Sequence, residues 1–100
     1  MTRVNRLIWN HWNKEHIARH GVVPEEVDQV CESDFKSFDG KKGRLIVIGL
    51  TEEGRVIAAV LDPEFEAPKG TFYPVTARAA SRSERRKYLA EKGGRKKNDK

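Results

Sequence analysis

Two almost continuously apolar runs stand out in an otherwise polar chain: Leu45-Ile-Val-Ile-Gly-Leu50 and Val56-Ile-Ala-Ala-Val-Leu61. Short apolar runs bounded by turn residues predict strands. Glu52-Glu-Gly-Arg55 lies between them, and Gly54 can take the positive φ that a tight hairpin needs. Residues 62–70 are rich in Pro, Glu and Gly and predict a loop. A third strand is expected over residues 72–78. Pro74 lies inside it and cannot donate to a ladder, so it demands an edge position or a bulge. Weaker strand signals occur at residues 35–38, before the turn Asp39-Gly40-Lys-Lys-Gly43, and at Arg6-Leu-Ile-Trp9, a short edge strand.

The flanking segments have helical character. Asn13 is placed to cap a helix ending at His20, with Trp9, Trp12, His16, Ile17 and His20 near one stripe. Gly21 then suits a left-handed C-terminal position. Pro24 fits the first turn of a second helix over residues 24–32, where Glu25 and Glu26 complement the dipole and Val27, Val30 and Cys31 form the apolar face. Ser81 and Glu84 have the S-x-x-E spacing of a capping box, which starts a last helix near Arg82 and carries it to about Lys92. Gly93-Gly94 is expected to end it. The resulting class is α+β: a small antiparallel sheet of three to four strands, with two N-terminal helices and one C-terminal helix packed on it. Residues 1–92 form the single expected domain, and residues 93–100 a basic, disordered tail.

One hundred residues with 37% apolar content suffice for one small core but not for a large buried cavity. Lysine and arginine outnumber aspartate and glutamate by 20 to 15, a net charge of +5 that favours an acidic partner, nucleic acid first. No apolar run approaches the roughly 20 residues that span a bilayer, and the N-terminus lacks the apolar centre of a signal peptide. No membrane partner is expected. The one cysteine, Cys31, excludes an internal disulfide and fits a small buried residue. The expected setting is the cytoplasm of a bacterial cell.

The candidate chemistry concentrates at the last helix. At about 100° per residue, Arg82, Arg85, Arg86 and Leu89 fall on one side. Neighbouring guanidiniums repel, and their planar fork matches phosphate, so a polyanion lying across them explains the cluster. A solvated face with ion pairs to Glu84 and Glu91 is the plainer account. Arg78 leaves the last strand just before the capping serine, near a helix N-terminus that favours anions; a surface pair with a glutamate is the alternative. His20 ends its helix where an imidazolium is stabilised, which suits a general acid or a phosphate contact, or a capping role alone. His16 and His20 have a feasible zinc spacing, but no further ligand motif accompanies them, so no metal or other cofactor is expected. His16 fits a partly buried helix residue. Trp9, Trp12, Phe72, Tyr73 and Tyr88 have rings that can stack on bases; most fit core or rim packing, and Tyr88, a turn beyond the arginines, is the exception.

Three segments resemble the BrnT family of bacterial ribonuclease toxins, within the RelE-like fold. Trp12-Asn-Lys-Glu-His-Ile-Ala-Arg-His-Gly-Val22 with Pro24-Glu-Glu26 is similar to its W-D…K…N…K-H-G-V…F-E-E-A opening. Arg44-Leu-Ile-Val-Ile-Gly49 with Gly54-Arg55-Val56 is similar to its central hairpin. Val75-Thr-Ala-Arg-Ala-Ala-Ser-Arg-Ser-Glu-Arg-Arg-Lys-Tyr88 is similar to its I-S-A-R…A-T…E-R…Y ending. The resemblance implies a metal-independent endoribonuclease that blocks translation and is neutralised by a cognate DNA-binding antitoxin. It places Lys14, His20, Arg78, Glu84, Arg85 and Tyr88 on motif positions.

On that expectation the RNA 2′-hydroxyl is the nucleophile, and the protein supplies proton transfer and cations for the phosphate. Arg78 and Arg82 would stabilise the phosphate, and His20 would transfer a proton. Glu84 or Tyr88 would be the second proton group, while Lys14, Arg85 and Arg86 hold the RNA backbone. The rival expectation is a non-catalytic module that binds nucleic acid or a partner protein through the same helix.

Overall fold

The two apolar runs pair with each other as β3 (Leu45–Leu50) and β4 (Val56–Pro63), at the centre of a sheet. The computed structural model describes residues 3–98, with side chains as far as Ala90. Around that hairpin lie β1 (Arg6–Leu7), α1 (His11–Ala18), α2 (Pro24–Glu32), β2 (Lys36–Asp39), β5 (Thr71–Ala79) and α3 (Arg82–Asn98). A turn of 3-10 helix at Lys41–Gly43 joins β2 to β3. The α+β class is as expected, but the sheet is larger and mixed. It has five strands in the order β1-β5-β4-β3-β2, and β1 runs parallel to β5. The Gly70 carbonyl accepts from the Asn5 and Arg6 N–H groups at 2.8 and 3.1 Å, and Phe72 O accepts from Ile8 N–H at 2.9 Å. Those bonds join segments more than sixty residues apart in sequence, a pairing no local pattern encodes.

Side chains alternate across the strands, so each run feeds two cores. Ile57, Ala59 and Leu61 of β4 join Val47 and Ala77 beneath α1 and α2, where they meet Ile17, Val22, Val27 and Val30. Ile48 and Ala58 point the other way and meet Tyr88 of α3. A fully buried large aliphatic side chain contributes roughly 1.5–3 kcal/mol. The first core holds most such residues among those described, so the α1–α2 layer carries most of the packing. Gly49 is a close-approach position: a Cβ there would lie 3.0 Å from both Ser33 Oγ and a Val30 methyl carbon. A larger residue would push α2 off β3.

The cap of α1 is Asn10, not Asn13. Asn10 Oδ1 accepts from Asn13 N–H at 3.0 Å, and Asn13 Oδ1 accepts from Asn10 N–H at 2.9 Å. The two asparagines therefore form a reciprocal capping box that starts the helix earlier. Trp9 consequently precedes the helix. Gly21 takes φ +76, and the Val22 N–H donates to Ile17 O at 3.1 Å, closing the turn after α1 as expected. Helix α2 has the expected span; Val23 offers no side-chain cap, but Glu26 reaches back to its N–H at 3.2 Å.

Pro74 is accommodated by a bulge. The register with β4 shifts between Val60↔Thr76 and Leu61↔Pro74, leaving Val75 as the extra residue. On its outer side the Pro74 carbonyl accepts from Asn13 Nδ2 at 3.1 Å, and the same amide donates to Ile8 O at 2.9 Å. Cys31 is packed beside the first core, and burial, then Asp28 and Glu32, push its thiol up to about 12. Among the described residues no helix is long and apolar enough to cross a membrane. Helix α3 continues through Gly93-Gly94 to Asn98. The side chains of the expected basic tail lie outside the described residues.

Candidate nucleic-acid interface

The start of α3 is built as its sequence predicts. Ser81 Oγ accepts from Glu84 N–H at 3.2 Å, and Glu84 Oε1 accepts from Ser81 N–H at 2.8 Å. Glu84 has a second task. Arg78, at the end of β5, donates from both terminal nitrogens to the two Glu84 oxygens, each at 2.8 Å. The Arg78 guanidinium, with the Ser81 N–H beside it, holds the Glu84 carboxyl down at about 2, against some opposing burial. A carboxylate so engaged stays ionised near neutrality. It positions Arg78 and caps the helix, which does not suit the proton-transfer role expected for it.

Beyond that pair the helix presents unmatched positive charge. Arg82, Arg85, Arg86 and Lys87 are exposed. Among the described residues no side-chain hydrogen bond or ion pair engages Arg82, Arg85 or Arg86. Lys87 Nζ lies 4.7 Å from the centre of the Phe38 ring, a cation–π contact that fastens α3 to β2. Leu89 is 53% exposed on the same side as the arginines. Tyr88 is 1% exposed and packs against Ile48 and Ala58. Its ring fills the second core and is not offered to a base, which corrects the stacking expectation.

The α1 residues are placed differently. Helix α1 covers one face of the sheet and α3 the other, so Lys14 and His20 do not join the arginine face. His20 is exposed in the turn after α1, and its ring centroid lies 5.4 Å from that of His16 in an edge-on arrangement. His16 is exposed as well, not partly buried. Among the described residues no hydrogen bond joins His20 to Arg78, and no group of three side chains could hold a metal ion. The His20 turn and the entry to α3 do share one end of the sheet. Gly21 O accepts from Arg55 at 3.1 Å, and the Ala80 N–H donates to the neighbouring Val56 O at 2.9 Å.

A second feature brings together Trp12 and Tyr73, two aromatic residues for which the sequence favoured core or rim packing. Trp12, His16 and Arg19 line an open groove of about 410 Å³ with Tyr73 and Val75. Trp12 is 73% exposed. The i, i+4, i+7 spacing of Trp12 and His16 in α1 and Arg19 at its C-cap was the available signal; the expected stripe joined Trp12 and His16 to Trp9, Ile17 and His20 instead. No protein-family model matches this sequence, and no match to it was found among curated proteins.

Proposed function

We propose that the chain is a small endoribonuclease of the toxin type, acting on RNA without a metal, and that the exposed arginines of α3 hold its substrate. The observation behind this reading is the cluster Arg82, Arg85 and Arg86, exposed in the first turns of one capped helix with no acidic side-chain partner among the described residues. Like charges at helical spacing cost a few tenths of a kcal/mol per pair. Nothing in the described fold offsets that cost, whereas a phosphate backbone would. Arg78 would turn to the scissile phosphate by exchanging Glu84 for a phosphate oxygen. His20 would move the proton, which requires its turn, at the end of the sheet shared with the entry to α3, to swing toward Arg78 when RNA binds. The 2′-hydroxyl attacks phosphorus, the 5′-oxygen departs with a proton, and a cyclic phosphate remains.

A DNA-binding antitoxin belongs to the same reading. Leu50 and Leu89, 37% and 53% exposed, flank a depression of about 470 Å³ beside Val56 and Ala80, with Arg55 and Arg85 at its margin. An apolar segment flanked by acidic residues fits such a patch.

A non-catalytic RNA-binding module is the second reading. The engagement of Arg78 by Glu84 and the burial of Tyr88 favour it, because both remove groups from the expected acid–base set. Incubation with single-stranded RNA and a chelator separates the two. Cleavage to cyclic-phosphate ends, lost in folded His20→Ala and Arg78→Ala proteins, supports the nuclease. Salt-sensitive binding with intact RNA supports the module. Absence of binding at low ionic strength sinks both.

A further inference from the structure

The groove between α1 and β5 holds a combination the arginine helix lacks. Trp12 offers its indole to solvent at 73% exposure. Tyr73 forms the opposite wall, its hydroxyl 3.5 Å from Asn10 Oδ1. Arg19 and His16 stand farther along the same helix face. Glu15 is the one acid in the lining, and it lies 3.6 Å from His11. Two aromatic rings with an adjoining guanidinium are the chemistry that takes up an unpaired base and its phosphate. An apolar protein segment would gain little from the guanidinium, and a bare anion would gain nothing from the rings.

One wall of the groove, Tyr73, is tied by strand parity to the α3 side of the sheet. Pairing sets Tyr73 opposite Asp62, Thr76 opposite Val60 and Arg78 opposite Ala58, and the bulge keeps all three on the face that bears α3. Tyr73 therefore belongs to both surfaces. From Tyr73 to Arg78 is about 15 Å along the strand, a distance that an extended single strand covers in a few nucleotides.

We propose that this groove is a base-stacking subsite for single-stranded RNA, in which Trp12 and Tyr73 hold an unpaired base and Arg19 contacts the adjoining phosphate. The proposal rests on RNA being the ligand of the α3 face. It assigns a preference, unpaired over duplex RNA, because paired bases keep their faces stacked on each other.

The test uses the full chain, a labelled oligouridine, and the same oligouridine annealed to oligoadenylate, at low ionic strength. Trp12→Ala should bind the single strand about ten- to hundredfold more weakly, the loss seen when one stacking contact is removed. Duplex affinity should change by less than about threefold, Tyr73→Ala should weaken single-strand binding likewise, and Trp12→Phe and Tyr73→Phe should each keep most of the parental affinity. Trp12 is exposed, so the thermal midpoint should hold. If Trp12→Ala and Tyr73→Ala bind oligouridine like the parent while an Arg82/Arg85/Arg86 triple alanine variant does not, the groove proposal falls and the RNA reading survives. An equal loss on single strand and duplex also overturns the groove. A parent that binds neither probe overturns the groove and the RNA reading together.

Discussion

Arg78 and Glu84 meet as a two-pronged pair, both nitrogens 2.8 Å from their oxygens, that ties the end of β5 to the first turn of α3. The side chains are 47% and 24% exposed, so water competes and the pair alone contributes little stability. Its larger effect is to fix where α3 begins, since Glu84 also completes the capping box. It further keeps a negative charge beside the arginines that the proposed function assigns to phosphate. Substrate binding would then require an exchange of anions at Arg78.

Replacement of Glu84 by Gln should separate these effects. RNA binding should tighten severalfold because a carboxylate is removed from the phosphate path, while stability falls by about 1 kcal/mol through the weakened cap. The folded-state value of Glu84 lies below its ordinary one, so the contribution of its charge is complete above the usual 4.5 and is lost as pH falls toward about 2. Thermal midpoints of parent and variant should therefore differ near neutrality and converge at the acid end. A constant gap across that range would show that the charge is irrelevant.

The arginine face carries a salt prediction. On single strands each neutralised phosphate contributes about 0.7 to the slope of log affinity against log salt. Replacing Arg82, Arg85 and Arg86 together by Ala should reduce the slope by about 2. Titration with oligouridine at several ionic strengths measures it, and an unaltered slope would remove the helix from the RNA interface.

Asn13 is 2% exposed, and its amide satisfies the carbonyls of both Ile8 and Pro74. Asn13→Leu strands those two acceptors and breaks the reciprocal cap of α1. A loss of about 2–4 kcal/mol is expected in urea unfolding, since each buried unsatisfied group costs about 1–3 kcal/mol. A loss below about 1 kcal/mol would mean that water replaces the amide at little cost.

Tyr88 distinguishes a structural residue from a catalytic one. Tyr88→Ala should destabilise the protein by about 3 kcal/mol by emptying the second core. Its folded fraction should still bind RNA, because the ring lies beneath the arginine face. Loss of binding in a variant with a parental melting profile would return Tyr88 to the interface.

Much of this was legible in the chain because strong punctuation marks the ends of elements. Pro24 fixes the start of α2, and Ser81 with Glu84 that of α3. Asn10 and Asn13 were harder: either can cap, and only their reciprocal bonds decide which lies outside the helix. Tyr88 could have been placed from the helical wheel, since a helix with residues 82, 85, 86 and 89 in solvent turns 88 inward. The separation of His20 from Arg78 had no local signal. Which face of a sheet a helix covers depends on crossover and packing between distant segments, and periodicity is silent on both.

Val75 has an effect that reaches beyond its own position. Residues five apart on an unbroken pleat point in opposite directions, yet Tyr73 and Arg78 share a side because one additional residue intervenes. Deleting Val75 would leave Tyr73 and Arg78 four apart, still on one side, with every other paired residue of β5 keeping its partner in β4. Phe72 would stay in the interior and Tyr73 outside it, and the cost would fall on Pro74, whose missing N–H the bulge accommodates.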